Sequence, residues 1–250
     1  MGSDITKANA TSGWLPCPIG QNNLIRTLPD GMRTLIEPHL EPVRLDLRMV
    51  LEVPHERPRN VFFPVDGVGS VLAVGRGDFR LEAGLFGREG MTATSIVTGG
   101  DRSPTETNIQ VAGRGLRMDA DCLAELLTRH PEMRAHFLRF VHAMITQITQ
   151  TAVSNGQFTI EKRLARWLLM CHDRTGDHRL SLTHEFLSVM LGVRRAGVTV
   201  ATHLLEGEGL IRAERGAITL LDRAGLEAAA GASYGVPEAE YRRLFGDGPG

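Results

Sequence analysis

The sequence predicts an α+β protein: an antiparallel β domain, one long helix, and a small C-terminal domain of winged helix-turn-helix form. Three patterns predict it. Between residues 41 and 118 short apolar runs alternate with glycine-bearing turns, and from Met133 to Ala152 apolar residues recur at threes and fours. Beyond residue 160 two amphipathic segments meet at Gly192, and two further apolar runs flank Arg215-Gly216. The chain of 250 residues is long enough for two modest domains, each with its own core. A hydrophobic share of 42% and a charged share of 23% are those of a folded chain and not of a disordered one.

Residues 1–23 are rich in Ser, Thr, Gly, Asn and Pro with little periodicity, and are read as a flexible tail. Residues 24–130 are read as the β domain with its lead-in. Leu24, Ile25, Leu28, Met32, Leu35, Ile36 and Leu40, punctuated by Pro29-Asp30, suggest short helices. Strand-like runs follow at Val43 to Val53, Val61 to Pro64, Val68 to Val74, Phe79 to Phe86, Ser95 to Val97 and Asn108 to Met118. Glycines fall between or beside these runs, as hairpin turns require. Many short strands joined this way imply a sandwich, roll or barrel.

Asp119 to Leu127 returns to helical spacing with Asp119 or Asp121 as N-cap, and Pro131 opens the next helix near its first turn. Residues 131–155 are read as one long helix ending at Asn155-Gly156. Its stripe of Met133, Phe137, Phe140, Val141, Met144, Ile145, Ile148 and Ala152 suits packing against a second helix as well as against its own domain, and both readings stand. Phe137, Val141, Met144 and Ile148 are the candidate dimerisation residues.

Residues 156–225 are read as the C-terminal domain, with 226–250 as an extension. Ile160 to Cys171 is amphipathic, and Leu180-Ser181-Leu182 is short enough for a small strand. Thr183 offers an N-cap for the helix bearing Phe186, Leu187, Met190 and Leu191, and Gly192 stops it. A second helix from Arg194 turns Val198, Ala201, Leu204 and Leu205 inward and leaves Arg194, Arg195, Thr199, Thr202 and His203 to face out. In such a motif the first helix pins the second so that its N-terminal side chains meet base edges in the major groove. A net charge of −1 gives the whole molecule no pull on nucleic acid, so any DNA-binding face must be local. Arg194-Arg195 would centre it; a solvated surface pair is the competing reading.

The stretch from about Ile160 to Leu221 resembles the winged DNA-binding domain of the cyclic-AMP-receptor and fumarate-nitrate-regulator (Crp/Fnr) family. The likeness rests on Thr183, Leu187, Met190-Leu191-Gly192, Val198, Leu204-Leu205-Glu206 and Leu210-Ile211. Upstream, VFFPVDGVGSVLAV and GLFGREGM resemble the β-roll of a poorly characterised subgroup of that family. The resemblance implies an N-terminal cyclic-nucleotide-binding-like jelly roll, a dimerisation helix and a winged helix-turn-helix. It implies a transcription regulator that binds double-stranded DNA as a homodimer on an inverted repeat, with RNA polymerase as a further partner. The family presents Ser-Arg-Glu near the start of its recognition helix and a further arginine one turn along, whereas this chain has Arg194-Arg195-Ala196 and then Val200. Arg195 stands at the family's arginine position and is expected to read guanine; Ala196 lacks an acceptor for a cytosine amino group. Thr183, His184 and Arg194 are expected at phosphates, with Thr199 and His203 completing the DNA-binding set.

Cyclic-nucleotide binders of the family carry Gly-Glu-Leu followed by Arg-Ser or Arg-Thr, and residues 90–110 hold only Arg102-Ser103. Cyclic AMP is therefore not expected. An iron–sulfur cluster would need about four cysteines, against Cys17, Cys122 and Cys171, which also lack the spacing of a zinc site or disulfide framework. No cofactor is expected. Haem through a histidine stays open, although His39, His55, His130, His136 and His142 follow no ligand spacing. The effector is an unidentified small molecule, or there is none. The glycines at 67, 69, 75 and 77 do not open a helix, and no nucleophile-elbow or metalloprotease motif appears, so no enzyme is expected. A regulatory module acting through protein partners without operator binding is the alternative function. Neither a signal peptide nor an apolar run of about 20 residues is present, so a cytoplasmic protein without membrane contact is expected.

Overall fold

A computed structural model describes residues 19–77 and 79–246; the tail expected over residues 1–18 lies outside them. Asn22 and Asn23, assigned to that tail by composition, are buried in the fold. A 3-10 turn, Ile19–Gln21, leads into α1 (Asn23–Arg26) and α2 (Asp30–Ile36). Asn22 is buried and fully used: its Oδ1 accepts from Ile25 N at 3.0 Å, and its Nδ2 donates to Pro64 O at 2.7 Å and Gly90 O at 3.0 Å. A polar residue reads as tail in sequence until its partners are known.

The β domain comprises β1 (Glu41–Leu45), β2 (Val50–Glu52), β3 (Asn60–Pro64), β4 (Val68–Val74), β5 (Arg80–Phe86), α3 (Thr94–Thr98), β6 (Glu106–Val111) and β7 (Gly113–Asp119). Two antiparallel sheets form, ordered β1-β7-β3 and β2-β6-β4-β5. Two expected runs are each divided: the first by a turn carrying Arg48 at φ 67°, the second just before Gly113. A Cβ at Gly113 would stand 2.4 Å from Asp66 O, so only glycine allows that approach. The run Ser95 to Val97 is a correction, being one turn of helix and not a strand. Ala93 and Gly99, both left-handed, close its two ends, and Ile96 and Val97 are buried. A run of three residues, two of them apolar, is too short for periodicity to separate helix from strand.

Next come α4 (Ala120–Arg129) and α5 (Pro131–Gln157). Asp119 caps α4, its Oδ1 accepting from Asp121 N and Cys122 N. Met133, Phe137, Phe140 and Met144 of α5 face the roll, where Phe137 meets Phe63 at 6.2 Å between ring centroids. Phe137 and Met144, expected at a dimer contact, are thus buried in the chain's own core, and Val141 and Ile148 are half-buried beside it. The large apolar side chains that α5 leaves in solvent are Leu138 at 40%, Ile145 at 56% and Val153 at 44% exposure.

The C-terminal part contains α6 (Ile160–Thr175), β8 (Arg179–Leu180), α7 (His184–Leu191), α8 (Arg195–Gly207), β9 (Ile211–Glu214), β10 (Ala217–Leu220), α9 (Arg223–Ala230) and α10 (Val236–Phe245). The strands pair in the order β8-β10-β9, which is the wing with one added strand. Of the extension expected over 226–250, residues 226–246 are described and do not stand apart; the last four lie outside the described residues. Leu226 and Ala230 join the helical core, and α10 lies along α5, with His142 Nε2 2.9 Å from Glu240 Oε1.

Val68, Leu72 and Leu85 of the roll share one apolar cluster with the C-terminal helices. At its centre is the buried carboxylate Glu82, which accepts from Trp167 Nε1 at 2.7 Å and from Ser70 Oγ at 2.5 Å. Burial pushes the Glu82 carboxyl up to about 7, against the downward pull of those two hydrogen bonds and of the Arg166 and Arg174 charges.

Candidate nucleic-acid interface

The local sequence dictates the two-helix unit. Thr183 sits in extended backbone and its Oγ1 accepts from Phe186 N at 3.1 Å, starting α7. Leu187, Met190 and Leu191 bury one face of that helix, and Gly192 ends it at φ 60°. Val198, Ala201 and Leu205 seat α8 on the same core. The turn is tied from outside by Arg163, which donates to Leu191 O, and the far end by Glu206, whose Oε1 accepts from Ala213 N of the wing at 2.8 Å.

So held, α8 turns Arg194, Arg195, Ala196, Val200, His203 and Leu204 to solvent, with Thr199 half-exposed. Of the six residues singled out for DNA, Thr183, Arg194, Arg195 and His203 are exposed, and His184 and Thr199 are half-buried against each other. His184 Nδ1 lies 3.1 Å from Thr199 Oγ1, and burial, then the Arg195 and His203 charges, lower its pKa. The ring is thereby biased toward the neutral form beside the cations. Two assignments along α8 are corrected. Thr202, expected outside, is completely buried, its hydroxyl donating to Val198 O at 2.8 Å. Leu204, expected inside, is 49% exposed. A threonine that satisfies its own hydroxyl within the helix can be buried, a possibility that polarity alone hides.

Val200, one turn beyond Ala196, is 59% exposed. The face that would meet DNA thus pairs two arginines with an uncovered apolar strip. Cys171 is buried and free, and among the described residues no three His, Cys, Asp or Glu side chains gather as metal ligands. No described helix is long and apolar enough to cross a membrane.

A profile of the Crp-like helix-turn-helix domain matches residues 162–229. This segment is similar to the Crp-like helix-turn-helix domain, and its two helices and glycine turn have that form. Solved structures extend the likeness over both parts of the chain. A Crp/Fnr-family transcriptional regulator from Eubacterium rectale superposes with TM-score 0.65 at 16% identity, over 83% of this chain and 97% of that one. FixK2 from Bradyrhizobium japonicum gives 0.66 at 13%, over 77% and 98%. The c-di-GMP-responsive global regulator CLP of Xanthomonas campestris gives 0.62 at 16%, over 77% and 99%. Comparison with curated protein sequences found no match. Over both parts the chain thus shares the fold of these regulators, with a Crp-like helix-turn-helix match over residues 162–229.

Proposed function

We propose that this Crp/Fnr-type chain acts as a homodimer on an inverted-repeat operator, reading each half-site with the exposed face of α8. The observation that carries the reading is that face itself: α7 and the wing fix α8 from behind while Arg194, Arg195, Ala196 and Val200 stay uncovered. Arg195 forms the guanine contact. Ala196 and Val200 replace hydrogen-bonding groups with methyls, and the thymine C5-methyl is the apolar feature of the major groove that they match. Thr183, His184, Arg194, Thr199 and His203 hold phosphates or flank the reading face.

Pairing runs along α5. Leu138, Ile145 and Ala152 are seven residues apart on its exposed side, with Val141 and Ile148 between them and the core. Phe137 and Met144 support that stripe from inside. The two recognition helices would then lie about 34 Å apart, one DNA turn. RNA polymerase is the further partner in this reading, and the chain catalyses no reaction.

The test is selection of random duplexes by the purified full chain at near-physiological salt, followed by sequencing. An inverted repeat with half-sites one helical turn apart, and with thymine beside its guanine, is expected. No enriched sequence, with or without cell extract, would favour a module that acts through protein partners. On the selected duplex Arg195→Ala should cost about 1 to 3 kcal/mol while leaving random DNA unaffected. Equal loss on both would reduce Arg195 to a phosphate contact.

A further inference from the structure

A cavity of about 500 Å³ opens where the roll, α5, α6 and α10 meet. That volume lies within the range of about 300 to 1,000 Å³ usual for small-molecule sites. Its apolar side is formed by Phe140, Ala143 and Met144 of α5 and Pro237 of α10. Its polar side is held rigidly. Arg174 Nε lies 2.8 Å from Glu89 Oε1, near enough to pair although not aligned for a hydrogen bond, and its other nitrogens donate to Met170 O and Leu85 O. Arg223 pairs with Asp173 at 2.8 Å and donates to Tyr234 Oη at 2.9 Å.

Three donors remain for a guest. Arg242 is exposed at the rim and makes no side-chain hydrogen bond or ion pair among the described residues. Arg88 donates one hydrogen bond, to Asp173 O at 3.1 Å, and the rest of its guanidinium fork is uncommitted. His172 supplies the third. Its Nδ1 lies 2.7 Å from Arg223 Nη1, which can only donate, so the proton of the neutral ring sits on Nε2. That Nε2 is buried in the cavity wall without a partner. Burial, then the Arg223 and His178 charges, disfavour a second proton on the ring. Four arginines face three carboxylates here, and burial raises the Glu238 carboxyl, weakening the acidic side further.

We propose that this cavity binds a small organic anion with an apolar body, the acid group held by Arg88, Arg242 and the His172 N–H and the body resting on Phe140, Met144 and Pro237. That such a ligand is the regulator's effector rests on the reading above. Physically, the guest would touch the roll, the long helix and the helix that opens the C-terminal part, so a change in how these elements sit would couple its binding to DNA binding, reciprocally.

The probes are 8-anilinonaphthalene-1-sulfonate and its uncharged relative N-phenyl-1-naphthylamine, titrated by fluorescence into the full chain. Saturable binding of one probe per chain is expected, with the sulfonate bound more tightly. Arg242→Glu, a surface change that leaves the fold intact, should weaken the sulfonate by about fivefold or more and leave the neutral probe unchanged. Ala143→Trp should fill the cavity and abolish both, with the melting temperature checking that the variant folds. Equal affinity of the sulfonate for wild type and Arg242→Glu overturns the proposal, whether or not Ala143→Trp folds. Operator affinity is then read with and without saturating sulfonate. A shift of about threefold or more makes the site regulatory. If no duplex is selected at all, the probe titrations still decide the site, so the two readings fail separately.

Discussion

The interior of the roll and the seam between roll and helix-turn-helix domain are both buried, yet they are built on opposite principles. Inside the roll Phe63, Phe86, Phe137 and Phe140 interlock, and Gly90 is bare because a Cβ there would stand 2.5 Å from the Phe140 ring. These four side chains are held by packing alone, with no hydrogen bond to lose. The seam instead buries Glu82, Arg166 and Arg174, each held by a polar group of another element: Trp167 for Glu82, Thr151 for Arg166, and Leu85 O and Glu89 for Arg174, while Nε of both arginines makes no hydrogen bond. Packed hydrocarbon resists every displacement, whereas a polar seam holds at one geometry and charge state and weakens at others. The roll is therefore the rigid body and the seam the place where a ligand or a proton can act.

Substitutions of decreasing expected size separate the two. Phe137→Ala empties part of the roll and should cost about 3 to 5 kcal/mol in urea unfolding; a loss under about 1 kcal/mol would mean that the roll collapses around the gap and is not the rigid partner. Glu82→Gln tests the seam through pH. Unfolded, the Glu82 carboxyl titrates near its ordinary 4.5, and folded at about 7, so between these values the folded chain retains a proton that the unfolded chain releases. Its contribution is fully present below pH 4.5 and is lost as the pH rises through 7, by about 3 kcal/mol. Glutamine keeps both hydrogen bonds, its amide oxygen accepting from Trp167 and its NH₂ donating to Ser70. The stability of Glu82→Gln relative to wild type should therefore rise by about 3 kcal/mol from about pH 4.5 to about pH 8. A difference independent of pH would place Glu82 in contact with water. The smallest effect belongs to Gly192→Ala, at φ 60° and with its added Cβ 2.5 Å from Leu81 Cδ1 of the roll. About 1 kcal/mol is expected, part of it restored by adding Leu81→Ala if the turn bears on the roll.

The helix-turn-helix unit was the most legible part of the sequence, for a local reason. Thr183, Gly192 and the apolar residues of α7 and α8 lie within a few turns of one another, so capping, stopping and periodicity all bear on the same short segment. The wing was readable too, because Arg215-Gly216 turns between two short apolar runs and Gly216 takes φ 78°. Reading failed where burial depends on distant partners. Asn22 looked like a tail residue and Thr202 like a surface one, and both are buried because their polar atoms are satisfied. On α5 one apolar pattern serves two neighbours, and nothing in the spacing says that Phe137 and Met144 belong to the roll while Leu138 and Ile145 face solvent.

By itself the sequence determined what is local: the strand-rich half, the continuous long helix, and the two-helix unit with its glycine turn and hairpin. These follow from backbone preferences and periodicities that operate over a few residues. Tertiary structure alone decided the rest. It placed Glu82 against Trp167, 85 residues away in sequence, folded α10 back along α5, and enclosed the arginine-lined cavity between them. The physical reason is that a buried charge or a cavity wall is created by the elements that surround it, and those are brought together by packing and not by neighbouring residues in the chain.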